Sequence, residues 1–134
     1  MLTYGVEALK VHHIFMVGHT HCGGVAHAHQ KAVEVQAEAA VEPGTAPEDR
    51  LAQPTSLERW LAPLTELARN ADGDLTALSE ANVRMQVENL RKCEVIQREW
   101  EKRDVPIHGF VYELETGNLR DLGITVGRYG KLED

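Results

Sequence analysis

The apolar positions of this chain change their spacing along its length, and each change marks an element. Leu2, Val6 and Leu9 stand four and three apart, the spacing of one helical face. Ile14-Phe15-Met16-Val17 is then an unbroken apolar run ending at Gly18. Such a run predicts a short strand buried on both faces, as in a parallel sheet. Gly18 to Gly24 reads as a loop. Val25 to about Ala40 is rich in Ala, Gln, Glu and Lys and should be helical. Glu42-Pro43-Gly44-Thr45-Ala46-Pro47 breaks that helix, and residues 41–54 read as an exposed linker. Thr55 and Glu58 form a capping-box pattern, followed by Leu57, Trp60, Leu61 and Leu64 on one predicted face. Pro63 is expected to kink or divide this helix.

Asn70 to Asp74 reads as a turn. Ser79 is placed to cap a third helix, with Val83, Val87 and Leu90 sharing a face. A further helical piece, Val95 to Arg103, carries alternating charges around Ile96 and Trp100, read as a solvated face. Pro106 ends the helices. Ile107 to Leu114 is rich in β-formers, and Gly117-Asn118 turns into a short strand near Leu119. Helix, buried strand, helices and strand give an α/β class, taken as a single domain over residues 1–134.

Composition narrows the partners. At 134 residues, 43% hydrophobic and 26% charged, the chain can bury a modest core. Its formal charge of -7 repels phosphate backbones, so no nucleic acid is expected. No apolar run approaches the roughly 18–20 residues of a membrane span. The first residues lack a basic stretch before a long apolar core, so no membrane partner and a cytoplasmic location are expected. There are two cysteines. Cys93, within Arg91-Lys92-Cys93-Glu94, reads as a structural thiol.

Cys22 has more reactive company. His19-Thr20-His21-Cys22-Gly23-Gly24 directly follows the predicted buried strand, and ligands of open parallel sheets collect beyond the carboxyl ends of strands. His19 and Cys22 can turn an imidazole nitrogen and a thiolate onto one ion. Zinc suits that mixed pair, with bonds of roughly 2.0–2.1 Å to nitrogen and about 2.3 Å to sulfur. Gly23 and Gly24 leave amide groups free to face an anion. Taken alone, the pair also fits a turn with an incidental thiol. His21, His27 and His29 read as surface side chains, and His12 and His13 as interfacial ones. A nucleotide-binding module using the glycines as a phosphate loop is a poor reading, since neither Gly-x-Gly-x-x-Gly nor Gly-Lys-Ser/Thr occurs.

At this loop a resemblance becomes specific. Gly18 to Gly24 matches the Gly-His-Ser/Thr-x-Cys-Gly-Gly zinc loop of β-carbonic anhydrases, and the helix and strand before it are similar too. The likeness continues through Trp60-Leu61, Asn82-Val83-Arg84, Gln86 to Leu90 and Val95-Ile96-Gln97. It ends with Pro106 to Tyr112 and Glu115-Thr116-Gly117. The resemblance implies Zn²⁺ as cofactor, His19 and Cys22 as two of three protein ligands, and the Gly23 amide facing substrate. The implied reaction is reversible hydration of carbon dioxide to bicarbonate.

The family's remaining ligand and its catalytic aspartate–arginine pair lie in a Cys-x-Asp-x-Arg motif, and none occurs in this sequence. No intact catalytic pair is therefore expected. The expected fold is a remnant of the β-carbonic anhydrase fold: a mostly parallel sheet flanked by helices, without the N-terminal helices and two central strands. Two readings follow. One is a carbonate dehydratase. The other is a catalytically inactive short paralogue or fragment that binds zinc weakly or pairs with a full-length subunit. The partner expected in either case is a second copy, as a homo-oligomer, or a full-length subunit.

Overall fold

The computed structural model describes residues 1–40, 53–71 and 73–131. Most of the linker expected at 41–54 therefore lies outside the described residues. Two compact units divide the chain: Met1–Thr20 with Ser79–Asp134, and His21–Leu78.

The first unit is built on a four-stranded sheet whose spatial order is the chain order. Its strands are β1 (Ile14–His19), β2 (Ile107–Glu113), β3 (Asn118–Gly127) and β4 (Gly130–Lys131). β1 and β2 pair in parallel, from Ile14 opposite Ile107 to His19 opposite Tyr112. β2–β3 and β3–β4 are antiparallel. The expectation of a mostly parallel sheet is thus corrected for the described strands. A tight turn, closed by Gly117 N–H donating to the Glu113 carbonyl at 2.8 Å, returns the chain at once, and so short a connection permits only antiparallel pairing. Gly117 supplies the φ of +72° that this turn needs.

One face of the sheet carries the core. Ile107, Val111, Ile124 and Val126 pack with Val6, with Val83 and Val87 of α3 (Leu75–Arg91), and with Ile96 and Trp100 of α4 (Glu94–Trp100). Two glycines set how closely α3 sits. A Cβ at Gly18 would lie 2.7 Å from Val83 Cγ2, and one at Gly109 would lie 3.2 Å from Val83 Cγ1. The other face is open: Phe15 is 57% and Val17 47% exposed. β1 is therefore not buried on both faces as its composition suggested. It is an edge strand, with alternate residues inward and outward.

The opening helix also departs from its pattern. Tyr4–Ala8 forms a π-helical turn, with Leu9 N–H donating to the Tyr4 carbonyl at 3.0 Å. The wider turn rotates Leu9 off the stripe into solvent while Val6 is buried. Arg103 secures this segment, donating to the Val11 and Val6 carbonyls at 2.8 and 3.1 Å. Its Nε meets Glu99 Oε1 at 2.6 Å, and Lys10 Nζ reaches the same oxygen at 3.0 Å. Glu99 is thus buried, contrary to a wholly solvated charge run. Hydrogen bonds from Arg103 and then Lys10 hold its carboxyl below the usual range.

The second unit packs α1 (Gly23–Ala39) and α2 (Ser56–Ala68) through Val25, Ala28, Ala32, Leu61, Leu64 and Ala68, with Leu78. Small residues on α1 give α2 a close seat, and Lys31 Nζ ties it to Glu58 at 3.1 Å. The capping box forms as expected. Leu57 and Trp60, however, are exposed, leaving Leu61 and Leu64 as the buried stripe. α2 runs unbroken through Pro63, which lies on the exposed side. There water can bond the carbonyl that the missing amide leaves free. α3 begins earlier than expected, because Asp74 caps it: Asp74 Oδ1 accepts from Thr76 N–H at 2.8 Å. Ser79 is instead a buried interior residue. Among the described residues no helix is long and apolar enough to cross a membrane.

Candidate metal centre

His19 is the last residue of β1, held opposite Tyr112 by the parallel ladder. The strand end is fixed from below, since Gly18 brings the backbone against Val83. It is also fixed from the side. Thr20 N–H donates to the Tyr112 carbonyl at 3.0 Å, and Leu114 N–H donates to Thr20 Oγ1 at 3.0 Å. Thr20 Oγ1 in turn donates to Glu115 Oε2 at 2.8 Å. The Thr20 carbonyl that results sits 2.8 Å from His19 Nδ1. A carbonyl only accepts, so Nδ1 carries the proton and the neutral ring keeps its lone pair on Nε2. Metal-bound histidines are oriented in this way, through the nitrogen not used for the metal.

Thr20 and Glu115 were not singled out in the sequence as residues of the site. Their signal is long-range: they stand 95 apart and meet only because β1 and β2 pair. The threonine of the zinc-loop pattern was visible as a match, but its contact with Glu115 was not.

Cys22 belongs to the second unit. It is the N-cap residue of α1, half-buried, and its thiol is unoxidised. Its carbonyl starts the helix by accepting from Ala26 N–H at 3.0 Å, while its side chain makes no capping bond. Gly23 opens α1 with nothing within 4 Å of where a Cβ would stand. At Gly24 a Cβ would make ordinary contact with Cys22 Sγ, at 3.8 Å. Neither glycine is demanded by packing, so what distinguishes this turn is its uncapped amides at the positive end of a 17-residue helix.

His21 takes the left-handed conformation, φ 52°. His27 and His29 lie along α1. Cys93 is the N-cap of α4, and its Sγ donates to the Asn89 carbonyl at 3.5 Å. That is the structural role its sequence suggested. Among the described residues no group of three or more His, Cys, Asp or Glu side chains is arranged to hold a metal ion.

The chain is similar to known carbonic anhydrases. The family model described as carbonic anhydrase matches residues 1–119. A carbonic anhydrase of Emericella nidulans is 30% identical over 135 residues, covering 92% of this chain and 50% of its own length. A tetrameric β-carbonic anhydrase from Sordaria macrospora shares the fold at a TM-score of 0.69 and 24% identity, over 93% of this chain and 59% of that one. A Coccomyxa β-carbonic anhydrase solved with acetazolamide gives 0.68 at 25% identity, over 93% and 53%. The chain thus spans about half the length of the curated relative it matches. With the family model covering most of its residues, and with its fold shared by those structures, the chain belongs to the β-class carbonic anhydrase family.

Proposed function

We propose that this chain carries the histidine–cysteine half of a zinc centre for the reversible hydration of carbon dioxide to bicarbonate. The observation that carries the reading is the His19 hydrogen bond, which leaves Nε2 as the bare nitrogen. Cys22 follows three residues later, at a helix N-terminus that favours an anionic ligand. An imidazole nitrogen and a thiolate suit zinc, so the donor types present fit two positions of a tetrahedral site. The described residues do not complete it.

The Lewis acidity of a zinc ion is the chemistry such a centre needs to activate water near neutral pH. The chain's own residues have separate tasks. His19 and Cys22 would hold the ion. Thr20, braced by Glu115, fixes the carbonyl that sets the His19 ring. The Gly23 amide, in the first turn of α1, is offered to bicarbonate. Metal analysis of the purified chain tests the ligand assignment: zinc should fall sharply in the His19→Ala/Cys22→Ser double variant. Equal zinc in both proteins rejects it. Stopped-flow hydration of carbon dioxide tests turnover separately.

A second reading is favoured by the two-donor set among the described residues, together with the exposed Phe15 and Val17 on edge strand β1. An open, apolar edge strand is a template for pairing with another chain. In this reading the chain holds zinc weakly, turns nothing over alone, and pairs with a full-length subunit or with itself. Substoichiometric zinc, and hydration at the buffer rate until a full-length relative is added, would select it. Full activity of the isolated chain would reject it.

A further inference from the structure

The exposed face of the β1–β2 pair carries two histidines in contact, neither of them part of the His19–Cys22 loop. His13, just before β1, and His108, within β2, point ring nitrogens at one another: His13 Nδ1 and His108 Nε2 are 3.0 Å apart. The far nitrogen of His108 is anchored, with Nδ1 3.0 Å from Thr125 Oγ1 on β3. This pairing follows from the ladder, where His108 stands opposite Thr125 on one side and Phe15 on the other. The Phe15 ring stacks on His108 with centroids 5.2 Å apart and planes 28° off parallel. His108 is thus held by a hydroxyl at its back and an aromatic ring along its side. His13 is solvent-exposed and able to tilt.

We propose that His13 and His108 form a two-histidine site for a divalent transition-metal ion of tetragonal preference, Cu²⁺ or Ni²⁺. Two metal–nitrogen bonds of roughly 2.0–2.1 Å spanning the observed separation meet at about 91–97°. That is near the right angle of a tetragonal ion and well short of the tetrahedral angle zinc prefers. The tautomers permit it. When Thr125 Oγ1 accepts from His108 Nδ1–H, Nε2 bears the lone pair. His13 then moves its proton from Nδ1 to Nε2, and its Nδ1 lone pair becomes the second donor. No proton is lost overall. The hydrogen bond between the rings gives way to two bonds to one ion, with water filling the remaining positions.

The test is a Ni²⁺ titration of the full chain by calorimetry, with amide NMR to locate the ion through paramagnetic broadening. Nickel avoids the oxidation of Cys22 and Cys93 that copper would bring. We expect broadening centred on residues 12–16, 107–110 and 124–126. Affinity should weaken at least about tenfold in His13→Ala, by loss of one of two ligands, and less in Thr125→Val, with Thr125→Ser restoring it. His19→Ala/Cys22→Ser should leave this binding in place, which separates it from the proposed zinc pair. Unchanged affinity in His13→Ala overturns the proposal. So does broadening centred on His27 and His29, or loss of the binding in the double variant.

Discussion

Helix α2 begins with its end groups satisfied: Thr55 Oγ1 accepts from Glu58 N–H at 3.2 Å, and Glu58 Oε2 accepts from Thr55 N–H at 2.7 Å. Helix α1 begins at Cys22, whose side chain caps nothing, followed by Gly23 in open space. Both starts lie in the same compact unit. A cysteine is a poor N-cap where serine or threonine would contribute about 1 kcal/mol. Local rules broken without local compensation concentrate at functional or strained positions. The strand side of the same loop is different again. There Gly18, Thr20 and Glu115 leave the backbone little freedom.

The largest effect should come from breaking the constrained side. Gly18→Val drives side-chain atoms into Val83, already 2.7 Å from the nearest added carbon, and should cost roughly 2–3 kcal/mol by overpacking. Gly23→Ala, with open space around it, should change the urea midpoint little. Equal costs at the two glycines would erase the contrast.

Next in size is the double effect of Cys22→Ser. Serine is a strong N-cap, so chemical denaturation should show a gain of about 0.5–1 kcal/mol. Zinc affinity should fall at least about tenfold, since the proposed ligand is gone. A variant that loses stability and keeps zinc would show that Cys22 is structural. Thr55→Ala provides the mirror image: a loss of about 1 kcal/mol with zinc binding unchanged.

The smallest effect is a pH dependence of the α2 cap. Bonds from the Thr55 backbone and side chain, then from Lys31, lower the Glu58 carboxyl from 4.5 to about 2. Because the folded value is depressed, the contribution is complete above about 4.5 and is lost as pH falls from there towards 2. Stability measured across that window should fall less steeply in Glu58→Gln than in the parent chain. Identical slopes would detach Glu58 from the cap's acid sensitivity.

Much of this architecture was legible in the residues. Thr55 with Glu58 announced a helix start, because a capping box needs only residues within one turn. Val83 and Val87 announced the buried stripe of α3 by their spacing. His19 and Cys22 announced a candidate metal pair by type and spacing. What misled were patterns whose outcome depends on a neighbour. Leu57, Trp60 and Leu9 had helical spacing yet face solvent, since spacing selects a face but not its burial. The run from Ile14 to Val17 gave no alternation, yet one face of the sheet is open at β1, which exposes every second residue. β3, expected as a short piece, extends over ten residues because pairing with β2 supplies its hydrogen bonds.

Local order, then, was written in the chain: caps, turns, helix periods and the donor types of the zinc-loop pattern arise from residues a few positions apart. Contacts across long stretches of sequence were settled by strand pairing and packing. Glu99 became a buried carboxylate because Arg103 and Lys10 converge on it. Thr20 met Glu115, and His13 met His108, because β1 lies parallel to β2. A side chain's chemistry is local, but its partner is whichever group the folded backbone sets within hydrogen-bonding reach.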